Sequence, residues 1–166
     1  MTSELCRLTD GPQAQEQPGG MGTVRFIVIC NGNAGHVLAL AKKTLMASIE
    51  LADDRCFDES KWAVSLPSEF VQNCPPFPSD KELGAYHGLS LEEREILDQK
   101  SGWPLRAFMN SFREDILKRY WSWWDAAVVD DSHIALAVEV DEWPFPSESL
   151  RWLFRGSGAI EVESEP

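Results

Sequence analysis

The sequence predicts an α+β fold, a two-layer sandwich on a ferredoxin-like split β-α-β plan with a helical insertion over about residues 67–131. A small doubly wound α/β sheet is the competing plan. Two observations lead there. A strand-helix-strand pattern occurs early in the chain and again at its end, and a long stretch of helical periodicity separates the two. The chain has 166 residues, 43% of them hydrophobic and 25% charged, which suits one domain with its own core. A domain of this size buries roughly 70% of the surface its unfolded chain exposes, so it needs neither disulfide nor metal to fold.

Residues 1–22 carry Gly11-Pro12, Pro18-Gly19-Gly20 and three glutamines, and they read as a disordered N-terminal tail. Residues 23–166 then form the single domain. Val24 to Cys30 is a near-continuous run of β-branched and aromatic residues, the pattern of a strand buried on both faces. Asn31 to Gly35 breaks it. From His36 to about Asp53, Val37, Leu40, Ala41, Leu45, Ser48 and Leu51 follow helical spacing. Trp62 to Leu66 reads as a second strand, halted by Pro67.

The insertion opens on a proline-rich loop, Cys74 to Pro78. Ser90 and Glu93 have capping-box spacing, so a helix starts at Leu91 and should stop near Ser101-Gly102. Pro104 suits the start of the next helix, where a missing N–H costs nothing. Leu105, Phe108, Met109, Phe112, Ile116, Tyr120 and Trp124 then extend one apolar face over five turns. After Asp130-Asp131, Ile134, Leu136, Val138 and Val140 share one face of a strand. Ser147 starts a short helix through Leu150, Leu153 and Phe154, ended by Gly156, and Ala159 to Glu163 alternates as a last strand.

The bulk chemistry narrows the function classes. Fifteen Lys and Arg against 27 Asp and Glu give a formal net charge of −12. A surplus of that size repels phosphate backbones, so nucleic acid is not expected as a partner. No apolar run approaches the ~20 residues that cross a bilayer, so no membrane association is expected. No basic start followed by an apolar core marks the N-terminus, and the expected compartment is cytoplasmic. Cys6, Cys30, Cys56 and Cys74 form no Cys-x-x-Cys pair and have no zinc-ligand spacing, so no metal and no cofactor are expected. Asp130, Asp131 and His133 stand at one end of a predicted strand with Asp141 and Glu142 at the other. Over roughly 20 Å of strand they share no ion.

The loop Cys30-Asn31-Gly32-Asn33-Ala34-Gly35-His36 joins a strand to a helix start, where small residues let backbone N–H groups converge. Asn31, Gly32, Asn33 and Gly35 are therefore the candidate anion-binding residues. Cys30 and His36 are candidate catalytic residues in an enzyme reading, since a helix start lowers a thiol pKa. The run from Phe26 to Asn33 resembles the phosphate loop of low-molecular-weight protein tyrosine phosphatases, whose motif is Cys-x-Gly-Asn-x-x-Arg-Ser. The resemblance implies Cys30 as nucleophile, with Gly32 and Asn33 shaping the loop. His36 and Val37 stand where that family has arginine and serine. Asp141-Glu142-Trp143-Pro144 only loosely matches its Asp-Pro general acid. Gly32-x-x-Gly35-His36 is similar to the nucleotide-sugar loop of two-domain glycosyltransferases. These features define the alternative reading, a phosphate-ester or nucleotide-binding enzyme.

The preferred reading is a non-catalytic one. Seven tryptophans are unusual in a domain this small, and Trp121, Trp124 and Trp143 are candidate partner-binding anchors. From Glu139 onward, seven acids face only Arg151 and Arg155, which adds Glu142, Glu161 and Glu163 to the candidate set. Acids steer a basic partner and aromatics hold it once bound. The expected function is a small acidic cytosolic protein-binding module, of the immunity or antitoxin type that inhibits a basic toxin or nuclease.

Overall fold

The computed structural model describes residues 3–114 and 119–166. Among them, β1 (Thr23–Ile29), β2 (Trp121–Asp130), β3 (His133–Val140) and β4 (Glu161–Ser164) form one sheet. Its order is β2-β3-β1-β4, antiparallel at every junction. The helices among the described residues are α1 (Ser3–Asp10), α2 (Ala34–Asp53), α3 (Glu59–Ser65), α4 (Ser68–Asn73), α5 (Asp80–His87), α6 (Leu91–Lys100), α7 (Leu105–Asn110) and α8 (Glu148–Gly156). The fold is α+β. The doubly wound alternative is corrected: such a sheet is mostly parallel with helices on both faces, whereas here α2 and α8 pack on one face of an antiparallel sheet.

Alternation builds the core. Phe26 and Val28 on β1, Ile134, Leu136, Val138 and Val140 on β3, and Val162 on β4 all point to the inner face. They meet Val37, Ala41 and Leu45 from α2 and Leu150, Leu153 and Phe154 from α8. The Trp123 ring stacks on Phe154 at 6.2 Å, and the Trp121 indole N–H donates to Ser149 Oγ at 2.9 Å. A second apolar layer lies outside those helices, with Phe70 against Phe108 at 5.0 Å and Trp62 against Phe112 at 5.7 Å. Gly156 admits that layer. A Cβ there would lie 2.6 Å from Phe70 Cε2, closer than packed carbon atoms approach.

Three sequence expectations are corrected. Trp62 to Leu66 lies in α3 and its C-cap instead of a strand. The Asp58 carboxylate accepts from the Ser60 and Lys61 N–H groups, which nucleates a helix, and Val64 is left in solvent. The alternation of Trp62, Val64 and Leu66 was also compatible with one helical face through Trp62 and Leu66, both buried. Second, the helix predicted through Trp124 stops at Asn110, and Trp121 to Asp130 is β2. Part of that stretch, residues 115–118, lies outside the described residues. Trp121, Trp123 and Val128 of β2 find cross-strand partners on β3, and tertiary pairing overrides the i, i+4 pattern. The hairpin turns at Asp131-Ser132, where the Asp130 carboxylate accepts the Ser132 N–H at 2.8 Å. That bond and the His133 imidazole hold the Asp130 carboxyl below its usual range.

Third, the expected N-terminal tail contains α1, with Leu5 and Leu8 buried in the core. Its charged residues explain the attachment. Glu4 Oε1 accepts the Trp123 N–H at 2.6 Å, and Arg7 Nε donates to the Trp123 carbonyl at 2.7 Å. Glu4 is in turn held by both Nη atoms of Arg119 at 2.8 Å, and Arg7 by Glu16 at 2.7 Å. The chain then crosses the end of the sheet, with the Gly19 N–H on Glu139 Oε2 and the Met21 N–H on the Val140 carbonyl.

Two helix starts match expectation. The Ser90–Glu93 capping box is formed and the helix it starts ends at Lys100. Ser147 occupies the N-cap of α8, although its Oγ accepts from Arg151 Nε instead of from the helix backbone. No helix among the described residues is long and apolar enough to cross a membrane.

Candidate partner-binding surface

Side chains that alternate away from the core line the outer face of the sheet. Ile27 on β1 lies between Ala135 on β3 and Glu163 on β4, and Ile29 lies between His133 and Glu161. Ala135 is followed by Ala127 on β2, and Arg25 is followed by Ala137 and Asp125. Ile27, Ile29, Ala135 and Ala137 are half-buried, while Glu161, Glu163, Asp125 and Arg25 are exposed. The result is a shallow apolar centre of small and branched side chains bordered by carboxylates. Arg25 is the one cation among the residues just named.

The predicted anchors separate on the two faces. Trp121 is corrected: it is 4% exposed and spends its indole on the core, so it offers nothing to a partner. Trp124 is half-buried at the β2 register shift between Trp123 and Asp125, and the Arg7 guanidinium sits 5.1 Å from its ring centre. Glu161 and Glu163 stand on β4 at the other side of the sheet. Glu142 and Trp143 are exposed on the β3–α8 connection, where the Trp143 ring lies 6.0 Å from that of Phe145. The structure does not gather the six candidates into one patch. It puts Glu161 and Glu163 beside Ile27 and Ile29, which carried no functional signal in the sequence because an isoleucine in a strand reads as core.

At the strand-to-helix loop, the backbone N–H groups of Cys30, Asn31 and Ala34 are committed within the chain. The Cys30 N–H donates to the Ser132 carbonyl at 2.7 Å, the Asn31 N–H to Asn33 Oδ1 at 3.1 Å, and the Ala34 N–H to the Asp131 carbonyl at 3.0 Å. Gly32, with φ at +71°, and Gly35 are exposed. Cys30 is buried, and burial pushes its thiol pKa up, away from the thiolate a nucleophile needs. His36 is turned to Glu69, 2.8 Å from its Oε2. Cys74 is also a poor nucleophile, since burial raises its thiol to about 11. All four cysteines are free thiols.

His133 Nδ1 lies 2.8 Å from Asp130 Oδ1, an ion pair at the hairpin when the imidazole is protonated. No group of three or more metal-ligating side chains forms among the described residues. No family model, curated protein or solved structure matches the chain.

Proposed function

We propose that the protein is a small acidic protein-binding module that captures a basic partner on the outer face of its sheet, in the manner of a cytoplasmic immunity or antitoxin protein that inhibits a basic toxin or nuclease. One observation carries the reading: Ile27 and Ile29 form an accessible apolar centre directly paired with Glu161 and Glu163. The centre supplies area to bury and the carboxylates supply steering toward lysine and arginine. The net charge of −12 extends the same field over the whole molecule. For the fold, a ferredoxin-like plan is the finer reading. Support comes from the chain order β1-α2-β2-β3-α8-β4, once α1 and the inserted α3 to α7 are set aside, and from a sheet order that reads β4-β1-β3-β2 from its other edge.

The test is affinity capture from native lysate with the wild type and with a Glu163→Lys variant. The wild type should retain a basic protein, with association slowing about tenfold or more between roughly 0.05 and 0.5 M salt. The variant should lose it at low salt. Retention that ignores both salt and charge reversal would remove the basis of the proposal.

A further inference from the structure

A groove remains between the α5–α6 hairpin and α8, adjoining the sheet face only through Glu161. Neither α5 nor α6 buries a residue. Polar ties hold the hairpin together: the Tyr86 hydroxyl donates to Asp98 Oδ2 at 2.8 Å, Arg94 Nε donates to the Tyr86 carbonyl at 3.1 Å, and the Arg94 guanidinium sits 5.4 Å from the Tyr86 ring centre. Helices of this length gain little from their own hydrogen bonds and are ordinarily stabilised by an apolar face against a partner. Here Leu97, 41% exposed, and Leu83 instead line a cavity of about 1250 Å³ with Trp103 and Trp152.

That volume exceeds the roughly 300–1,000 Å³ of small-molecule pockets and suits several side chains of a macromolecule. Its carboxylates are Glu82, Glu95, Asp98, Glu148 and Glu161, against two cations, Arg151 and Arg155. Both cations are engaged within the chain. Arg151 donates to Ser147 Oγ and the Val162 carbonyl, and the Arg155 guanidinium sits 5.8 Å from the Trp152 ring centre. Arg151 also pairs with Glu161 at 3.9 Å, and the groove offers aromatic and aliphatic walls under a net excess of three carboxylates, five against two guanidiniums.

We infer that this groove receives an amphipathic helical segment of the partner, with leucine-like or aromatic anchors on one side and lysine or arginine flanking them. The inference rests on the proposed capture of a basic protein and adds the segment it would grip. A helix is favoured over an added strand because side chains occupy the outward hydrogen-bonding groups of Trp123 and Val162 on the two edge strands, while helices form the walls here.

The probe is a labelled peptide of leucine and lysine about 14 residues long, roughly 21 Å as a helix, with leucines at i, i+3, i+4 and i+7 spacing. A control peptide carries glutamate for lysine. Fluorescence anisotropy with the full chain should show one saturable site for the basic peptide and none for the acidic one. Leu97→Asp, at an exposed position that leaves the fold intact by circular dichroism, should weaken binding about tenfold or more. Glu82→Lys/Glu95→Lys should do so at low salt only. Undiminished binding by Leu97→Asp, no binding by the wild type, or equal binding of the acidic peptide overturns the groove. None of these variants alters Glu163 or the sheet face. If the groove fails while Glu163→Lys, which lies outside the groove, still abolishes partner capture, the module reading stands without it. If capture also ignores charge reversal, both fall.

Discussion

On β2, the outward N–H and carbonyl of Trp123 meet Glu4 and Arg7; on β4, the outward N–H and carbonyl of Val162 meet Glu161 and Arg151. The pairing is the same, a carboxylate for the donor and a guanidinium for the acceptor. The solvent is not. On β2 the side chains of Glu4 and Arg7 are 10% and 6% exposed, whereas Glu161 and Arg151 are 53% and 36% exposed. An edge strand is a template for another strand unless its polar groups are occupied or blocked. Here the β2 edge is blocked by a buried, mutually dependent cluster and the β4 edge by a surface pair. Because both edges are occupied at these points, recognition is left to the outer face and the groove.

The contrast makes its largest prediction at Glu4. Glu4→Ala strands the Arg119 guanidinium and the Trp123 N–H in a buried setting, and breaking such a pair costs about 3–5 kcal/mol. Urea unfolding of the variant should show a loss of that size. A loss below about 1 kcal/mol would mean that the β2 edge is no better sealed than the β4 edge.

Arg151→Ala is the matching change on β4. Surface ion pairs contribute about 0–1 kcal/mol, so its midpoint in urea should move little. A loss rivalling that of Glu4→Ala would erase the distinction between the edges.

The smallest effect is a pH dependence at the rim of the β2 cluster. The hydrogen bond from Arg7, and then the Gln13 backbone N–H, hold the Glu16 carboxyl below the usual carboxylate range. Its folded pKa lies below the unfolded one. The pair therefore stabilises the fold at neutral pH and loses that contribution as pH falls through the carboxylate range toward the lowered value. Glu16→Gln should flatten the acid limb of a plot of Tm against pH, and an unchanged limb would show that this pair adds nothing to the seal.

The same contrast explains what could be read in advance. β1, α2, β3, α8 and β4 were legible as elements from their apolar spacing, and α2, β3 and α8 bury that period on the face it specifies; on β1 only Phe26 and Val28 are fully buried, and beside β4 Ile160 stays exposed. The outer-face carboxylates were legible as charge, but the isoleucines between them were not. Alternation tells which residues share a face, not which face helices cover. In α1, Leu5 and Leu8 flank Glu4 and Arg7 at i, i+3 spacing, a usable signal that the Gly, Pro and Gln residues after it outweighed.

The sequence by itself determined the class of fold, the acidity and the positions of the strongly periodic elements, since these follow from local side-chain spacing and composition. Only the tertiary structure decided that Trp121 to Asp130 is a strand, that Ser3 to Asp10 hold the sheet, and that Trp121 is core. Each depends on partners far away in the chain: Trp121 pairs with Val140 and bonds to Ser149, and Glu4 reaches Arg119 and Trp123. A buried charge is tolerable only where its counter-charge and hydrogen bonds arrive with it, and no stretch of sequence contains both sides of that bargain.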